Sequence, residues 1–374
     1  MTRALVIVGT RPEAIKLAPV VRECRRRSDA IDVRVCLSGQ HDRLLAEAVD
    51  YFSLKPEVRI ESPPPGLDPA RLAARLLDRL AEVISQDPPD CTVVQGDTTS
   101  AMAAAMAGFY SKVPVVHVEA GLRTGHLSAP WPEEWHRRVI TLATALHCAP
   151  TERAVRALIG EGVEAAAVRL TGNPVIDALQ DTLQRERGRA EHWQRKFPTL
   201  TGRRVVLVTA HRRESFGPGL ENICRAVDCL AERFPDCTFV YPVHLNPRVQ
   251  EPVYRMLGPR ENILLVPPAG YPEFVWLMDR AELILTDSGG VQEEAPTLGT
   301  PVLVMREVTE RPEAVEAGAA QLVGISTERI VAAAQQQLSN PARATCTSAI
   351  ENPYGDGRAA ERIVDGMVEV VERK

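Results

Sequence analysis

The chain has 374 residues, is 45% hydrophobic and carries a net charge of −5. That length and apolar content exceed one typical core and suit two domains, and the acidic balance argues against a nucleic-acid partner. The eight cysteines are scattered without a C-x-x-C pair, so neither a zinc site nor a disulfide frame is expected and a reducing cytoplasm is the default compartment.

A strand starts three residues in, at 4–8, which leaves no room for a signal peptide, and no apolar run is long enough to cross a membrane. The turn Gly9-Thr10-Arg11-Pro12-Glu13 follows, then a helix over 14–26 with Pro12 near its first turn. Arg11 and Lys16 stand near that helix start, where cations face phosphate oxygens. Arg25-Arg26-Arg27 reads as a solvated face. The strand at 33–37 ends in Ser38-Gly39-Gln40-His41, a helix covers 44–52, and residues 61–69 form a proline-rich loop. Helical periodicity returns over 72–84. The strand at 91–94 delivers Gln95-Gly96-Asp97-Thr98-Thr99, and an alanine-rich helix runs to Phe109. The strand at 113–118 leads into Glu119. Trp131-Pro132-Glu133-Glu134 opens another helix, and 146–149 and 168–170 are the last strands of this half.

Thr171-Gly172-Asn173-Pro174 reads as a turn and hinge, and 186–204 as highly charged surface. The alternation then restarts. Residues 205–209 end in Ala210-His211-Arg212, and 238–241 end in Pro242-Val243-His244. The strand at 263–266 precedes the helix that carries Phe274 and Trp276. Residues 283–286 run into Asp287-Ser288-Gly289-Gly290, where a helix begins, and a last helix covers 359–372. Strands alternating with helices throughout predict an α/β protein of two doubly wound, Rossmann-like parallel-sheet domains. The Ser288-Gly289-Gly290 junction lets backbone approach a ligand at the positive end of a helix, a position suited to phosphate. Glu294 lies in the first turns of that helix, where a carboxylate can hold a ribose hydroxyl. An ordinary strand-to-helix turn explains the same pattern less fully. A nucleotide, alone or joined to another group, is the first inference.

Asp97, Glu119 and Glu133 recur at strand ends or the loops after them, the positions that line a ligand crevice in such sheets. Apposed carboxylates raise one another's pKa and supply an acid and a base. Asp97 serves equally well as a helix cap and Glu133 as a first-turn carboxylate. Glu119, following a fully apolar strand, reads as functional. His211 at a strand end suits proton transfer or a phosphate contact, whereas His244 serves as well in a core. Phe274 and Trp276 are core residues by default. No metal-binding spacing, no Walker lysine and no G-x-G-x-x-G after a strand is found, so no cofactor is expected.

Nine segments appear in order: GTRPEAIKLAP (9–19), QGDTTS (95–100), HVEAGLRTG (117–125), PWPEE (130–134), AHRRESFG (210–217), YPVHLNP (241–247), TDSGGVQEEAP (286–296), ERPEAV (310–315) and NPYGDG (352–357). With these the chain resembles, over its full length, the non-hydrolysing UDP-N-acetylglucosamine 2-epimerases. The resemblance implies a GT-B-type fold with an interdomain cleft. It implies a first domain of 1–172 plus the returning helix 358–374, and a UDP-binding domain of 173–357. The implied reaction interconverts UDP-N-acetylglucosamine and UDP-N-acetylmannosamine, by elimination of UDP to a 2-acetamidoglucal and re-addition, without metal or redox cofactor. Asp97, Glu119 and Glu133 are then the acid/base groups, and His211 assists at the leaving phosphate. Arg11, Lys16, Ser288, Gly289, Gly290, Glu294 and Arg311 bind UDP, with Phe274 beside the uracil. A homodimer is implied, with neither nucleic acid nor membrane as partner.

Gln40, Arg75, Glu133, Arg212 or Arg213, and His244 match parts of a regulatory site at which a second substrate molecule activates many bacterial members. The chain departs from the family pattern at Asp42-Arg43, His136, Ile140-Thr141 and Ala269, so weak or absent substrate activation is expected. Three other readings stay open: a hydrolysing epimerase releasing free N-acetylmannosamine, a retaining glycosyltransferase needing an acceptor, and a catalytically silent UDP-sugar sensor.

Overall fold

The structure is a computed structural model that describes residues 1–39, 43–62, 64, 66–258, 260–339 and 351–373. The chain divides into two compact units. The first comprises residues 1–178 and 354–374, the second residues 179–353.

In the first unit the strands are β1 (Thr2–Val8), β2 (Ile31–Leu37), β3 (Val58–Arg59), β4 (Cys91–Gln95), β5 (Val115–Val118), β6 (Leu146–Ala149) and β7 (Val168–Leu170). They pair, all parallel, in the order β3-β2-β1-β4-β5-β6-β7. The crossovers are α1 (Arg11–Arg26), α2 (Arg43–Tyr51), α3 (Pro69–Gln86), α4 (Thr99–Tyr110), α5 (Glu133–Ala143) and α6 (Glu152–Gly160). The strands are continuous apolar runs because helices cover both faces. Leu5, Val6, Val93 and Val116 are fully buried, and each such side chain contributes about 1.5–3 kcal/mol. Helix α7 (Pro174–Arg187) begins in this unit, and α15 (Ala359–Glu372) returns to pack on α1 and β6. Asp177 receives Ala359 N at 3.2 Å and Ala360 N at 2.9 Å, fastening the start of α15. Burial pushes the Asp177 carboxyl up to about 6 against the pull of those two N–H groups.

The second unit holds α8 (Ala190–Lys196), β8 (Arg204–Thr209), α9 (Pro218–Arg233), β9 (Cys237–Pro242), α10 (Pro247–Leu257), β10 (Ile263–Val266), α11 (Tyr271–Arg280), β11 (Leu283–Thr286), α12 (Gly289–Leu298), β12 (Val302–Val304), α13 (Pro312–Glu316), β13 (Ala320–Leu322) and α14 (Thr327–Leu338). Its parallel sheet runs β10-β9-β8-β11-β12-β13. The stretch 186–204 is mostly exposed, as expected of charged surface, and also carries a buried apolar seam. Trp193 is buried and stacks on Trp276 with centroids 5.7 Å apart, and Phe197 stacks on Trp276 at 5.6 Å. Glu186, also buried, accepts the Trp193 indole N–H at 3.0 Å. The surrounding charges mask that seam in the sequence.

Strand order reverses between β1 and β4 in one sheet and between β8 and β11 in the other. Ligands of open parallel sheets bind outside the strand carboxyl ends at such reversals. Gly9, Arg11 and Asp97 follow the first pair of strands. His211, Arg212, Asp287 and Ser288 follow the second.

Candidate active site

At the first reversal the chain is tight. A Cβ on Gly9 would lie 2.3 Å from Ser100 Oγ, so only glycine fits where β1 ends. Glu13 turns back to accept Gly9 N and Thr10 N, each at 2.6 Å, and Thr98 Oγ1 at 2.6 Å. Burial raises its carboxyl to about 6, with those donors pulling the other way. Arg11, the first residue of α1, is half-buried.

Glu119 lies one residue beyond β5 with φ +64°, a left-handed conformation that costs a non-glycine residue about 1–3 kcal/mol and clusters at functional sites. The carboxylate is buried, and three donors converge on it. Lys16 Nζ lies 2.5 Å from Oε1, Asn173 Nδ2 lies 3.1 Å from the same oxygen, and Gln95 Nε2 donates to Oε2. Lys16 therefore points inward, onto a carboxylate. Asn173, in the stretch read as a hinge, is completely buried and also accepts Val175 N at 3.1 Å.

Asp97 does not cap α4. Thr98 does, accepting Ala101 N at 3.0 Å, which leaves the Asp97 side chain to another partner. Arg137 supplies it, with Nε at 2.9 Å and Nη2 at 2.7 Å from Oδ2. The same guanidinium donates to Glu134 at 3.0 Å. Glu134 is fully buried and accepts Thr124 N at 3.1 Å and Gly125 N at 3.3 Å, so it ties α5 to the loop before it. His136 Nδ1 donates to the Asp97 carbonyl at 2.7 Å. Glu133, beside Glu134, is half-buried at the first position of α5. Arg137, Gln95 and Asn173 carry no role in the sequence reading, and Glu134 enters it only beside Glu133 as a first-turn carboxylate. The three-residue spacing of Glu134 and Arg137 on one helix face was the available signal.

At the second reversal the buried Asp287 accepts His211 N and Arg212 N on Oδ2, both at 2.7 Å. The His211 ring stacks on His244 with centroids 5.4 Å apart and planes 9° apart. Ser288 is the N-cap residue of α12 without a side-chain cap bond, and Gly289 and Gly290 form the first turn. Glu294 is buried and accepts the Tyr271 hydroxyl at 2.7 Å. A Cβ on Gly290 would stand 4.0 Å from both Ser288 Oγ and Glu294 Oε2, so these groups share one corner. Arg212 Nη2 donates to Glu310 at 3.2 Å, and Arg306 Nη1 donates to it at 2.7 Å. Burial alone would raise the Glu310 carboxyl, but Arg311, Arg306 and Arg212 hold it at about 2. Arg311 Nε lies 2.5 Å from the buried Glu293. Phe274 is half-buried, its N–H bonded to Gly270 O at 2.9 Å.

Of the residues matched to a regulatory site, Arg75 donates to the exposed Glu61 at 3.2 Å, and Arg212 and His244 belong to the cluster around Asp287. Gln40 and Asp42 lie outside the described residues. Among the described residues no group of three or more His, Cys, Asp or Glu side chains could hold a metal ion. No described helix is long and apolar enough to cross a membrane.

Residues 22–368 match the family model for UDP-N-acetylglucosamine 2-epimerase. The chain belongs to the UDP-N-acetylglucosamine 2-epimerase family. It is 48% identical over 367 residues to a probable UDP-N-acetylglucosamine 2-epimerase of Ralstonia nicotianae, covering 97% of this chain and 98% of the relative. It is 44% identical over 370 residues to the UDP-N-acetylglucosamine 2-epimerase of Escherichia coli, covering 98% of each. The crystal structure of the Neisseria meningitidis UDP-GlcNAc 2-epimerase bound to UDP-GlcNAc superposes with a TM-score of 0.93 at 41% identity, over 98% of this chain and 100% of that one. The Methanocaldococcus jannaschii epimerase, in complex with UDP-GlcNAc and UDP, gives 0.83 at 32% identity, over 98% and 99%. The epimerase family implied by the nine segments and the α/β architecture of two parallel sheets expected from the strand–helix alternation both hold over nearly the full chain.

Proposed function

We propose that the protein interconverts UDP-N-acetylglucosamine and UDP-N-acetylmannosamine by elimination of UDP to a 2-acetamidoglucal and its re-addition. The observation that carries this reading is Glu119: a buried carboxylate in a strained backbone conformation, fixed by Lys16, Gln95 and Asn173. A proton on C2 of the sugar is only weakly acidic, so its removal needs a base held in place while positive charge builds at C1. In this reading Glu119, Asp97 and Glu133 share the removal and return of that proton on the two faces of C2. As the C2–H bond breaks, the C1–O bond to UDP breaks with it, leaving a 2-acetamidoglucal and UDP. Re-addition of UDP to C1 with protonation of C2 from the opposite face completes the inversion. The sequence is redox-neutral.

Expelling UDP develops negative charge on the β-phosphate. His211, Arg11 and the open first turn of α12 at Ser288, Gly289 and Gly290 are the groups proposed to meet it. In the same reading Glu294 holds the ribose hydroxyls, Arg311 binds UDP and Phe274 lies beside the uracil. The seven described cysteines are free thiols, which supports a cytoplasmic protein. Exposed Phe109 and Tyr110 on α4 and Leu142 on the adjacent α5 support a homodimer.

Incubation with UDP-N-acetylglucosamine tests the reading. Proton NMR should show UDP-N-acetylmannosamine approaching an equilibrium mixture from either side. Free N-acetylmannosamine with UDP would mark a hydrolysing enzyme, and unchanged substrate under tight UDP binding would mark a sensor.

A further inference from the structure

We infer that Asp287 is a positioning residue for His211: it fixes the imidazole with its proton on Nδ1, so that Nε2 is the nitrogen presented to the reaction. The inference rests on the proposed role of His211 at the leaving phosphate and deepens it.

Asp287 follows β11 and is completely buried, yet it is held by no arginine or lysine side chain among the described hydrogen bonds and ion pairs. Its two oxygens have different tasks. Oδ2 takes the backbone N–H groups of His211 and Arg212, both at 2.7 Å, and so fixes the main chain that carries the ring. Oδ1 makes no hydrogen bond within normal limits and is buried from solvent, but it stands 3.4 Å from His211 Nδ1. A buried carboxylate oxygen has acceptor capacity only, so the ring nitrogen facing it is the one that carries hydrogen. The contact is slightly long for a hydrogen bond, as such contacts are before substrate tightens them.

The ring's plane is fixed from its other side. His244 lies parallel to it, and His244 Nδ1 accepts Asn246 N at 3.1 Å, which leaves the His244 proton on Nε2. Tyr241, buried beneath, spends its hydroxyl proton on the Ala210 carbonyl at 2.7 Å and so does not compete for Asp287. One nitrogen of His211 is thus turned toward a buried anion while 39% of the side chain stays exposed. A carboxylate orienting an imidazole in this way selects the tautomer and stabilises the ring when it is protonated, the logic of orienting carboxylates elsewhere. To donate to charge developing on phosphate Nε2 must carry hydrogen, so the ring acts there as the imidazolium, whose positive charge Asp287 offsets at Nδ1 while Nε2 is kept as the outward nitrogen.

The test is Asp287→Asn. Its amide oxygen still accepts the two backbone N–H groups, so the loop is retained, but its NH2 then faces His211 Nδ1 and demands the opposite tautomer. With 15N-histidine protein at alkaline pH, and His211 assigned by its loss in His211→Gln, the wild-type ring should show Nδ1 protonated and Nε2 bare. Asp287→Asn should reverse the two. The epimerisation kcat should fall roughly a hundredfold or more, with KM and UDP affinity within about threefold of wild type. The wild-type spectrum requires no variant to fold, and a His211 ring with bare Nδ1 there overturns the inference. So does Asp287→Asn with full kcat, or with lost turnover and an unchanged tautomer. If the wild type has the stated tautomer but does not epimerise, the functional reading fails while the positioning of the ring stands.

Discussion

At the scale of single residues, the proposed chemistry depends on how Glu119 is held. Its strained backbone and three converging donors fix an oxygen in space that a flexible exposed carboxylate would not. Glu119→Gln keeps the shape and removes the base. We expect that variant to fold and to bind UDP within a few-fold of wild type, while epimerisation drops by roughly two to four orders of magnitude. Isothermal titration with UDP and a coupled rate assay separate the two effects, and full activity would remove Glu119 from the chemistry. Arg11 makes a different demand. Half-buried at the first position of α1, it is assigned to a charge-assisted phosphate contact worth about 1.5–3 kcal/mol. Arg11→Ala should therefore weaken UDP binding roughly tenfold or more, and equal affinity in the two proteins would leave Arg11 a solvated surface cation.

At the scale of elements, β5 and β6 carry a titration that the fold must bear. His117 and His147 are directly paired across these strands, and both are buried. Burial lowers His117 to about 4, against the hydrogen bond to Gly96 O. Burial lowers His147 to about 3, helped by its neighbours His117 and Arg123. Both rings are neutral in the folded protein and take up protons near 6.5 once unfolded. The unfolded state then binds more protons below 6.5, so stability falls as pH drops from 6.5 toward 4, by up to about 3 kcal/mol for each histidine. Glu13 and Asp177, raised to about 6, act in the opposite sense, since protonation below 6 favours their buried forms. Urea denaturation from pH 7 to pH 4 should show His147→Leu losing less stability than wild type over that interval. Parallel curves would contradict the assignment.

These elements also show what the sequence made legible. Strand-turn-helix runs stand out because parallel strands buried on both faces are uninterrupted apolar stretches, and the last helix at 359–372 is bounded by its own turn. The site at each strand end follows from the same pattern. Partners brought from far along the chain do not. Asn173 reaches Glu119 across 54 residues and Arg137 reaches Asp97 across 40, distances at which local spacing carries no signal. Glu133 and Glu134 differ by one residue of helical phase, and only the fold decides which is buried. Trp193 and Phe197 are hidden in the same way, two aromatics within a run of charges.

At the scale of the whole molecule, each unit has a strand-order reversal of its own, followed by carboxylates in the first unit and by a histidine and an open helix start in the second. In the proposed reaction, proton removal at C2 and departure of UDP from C1 are parts of one elimination. The measurement that tests this most directly is epimerisation in heavy water, starting from UDP-N-acetylglucosamine labelled with oxygen-18 in the bond between C1 and the β-phosphate. Elimination and re-addition should place deuterium at C2 of UDP-N-acetylmannosamine from the first turnovers, none at C3 or in the acetyl group, and scramble oxygen-18 into the non-bridging β-phosphate positions. Inversion at C2 without solvent deuterium, or with the oxygen label left in the bridge, would contradict elimination and re-addition.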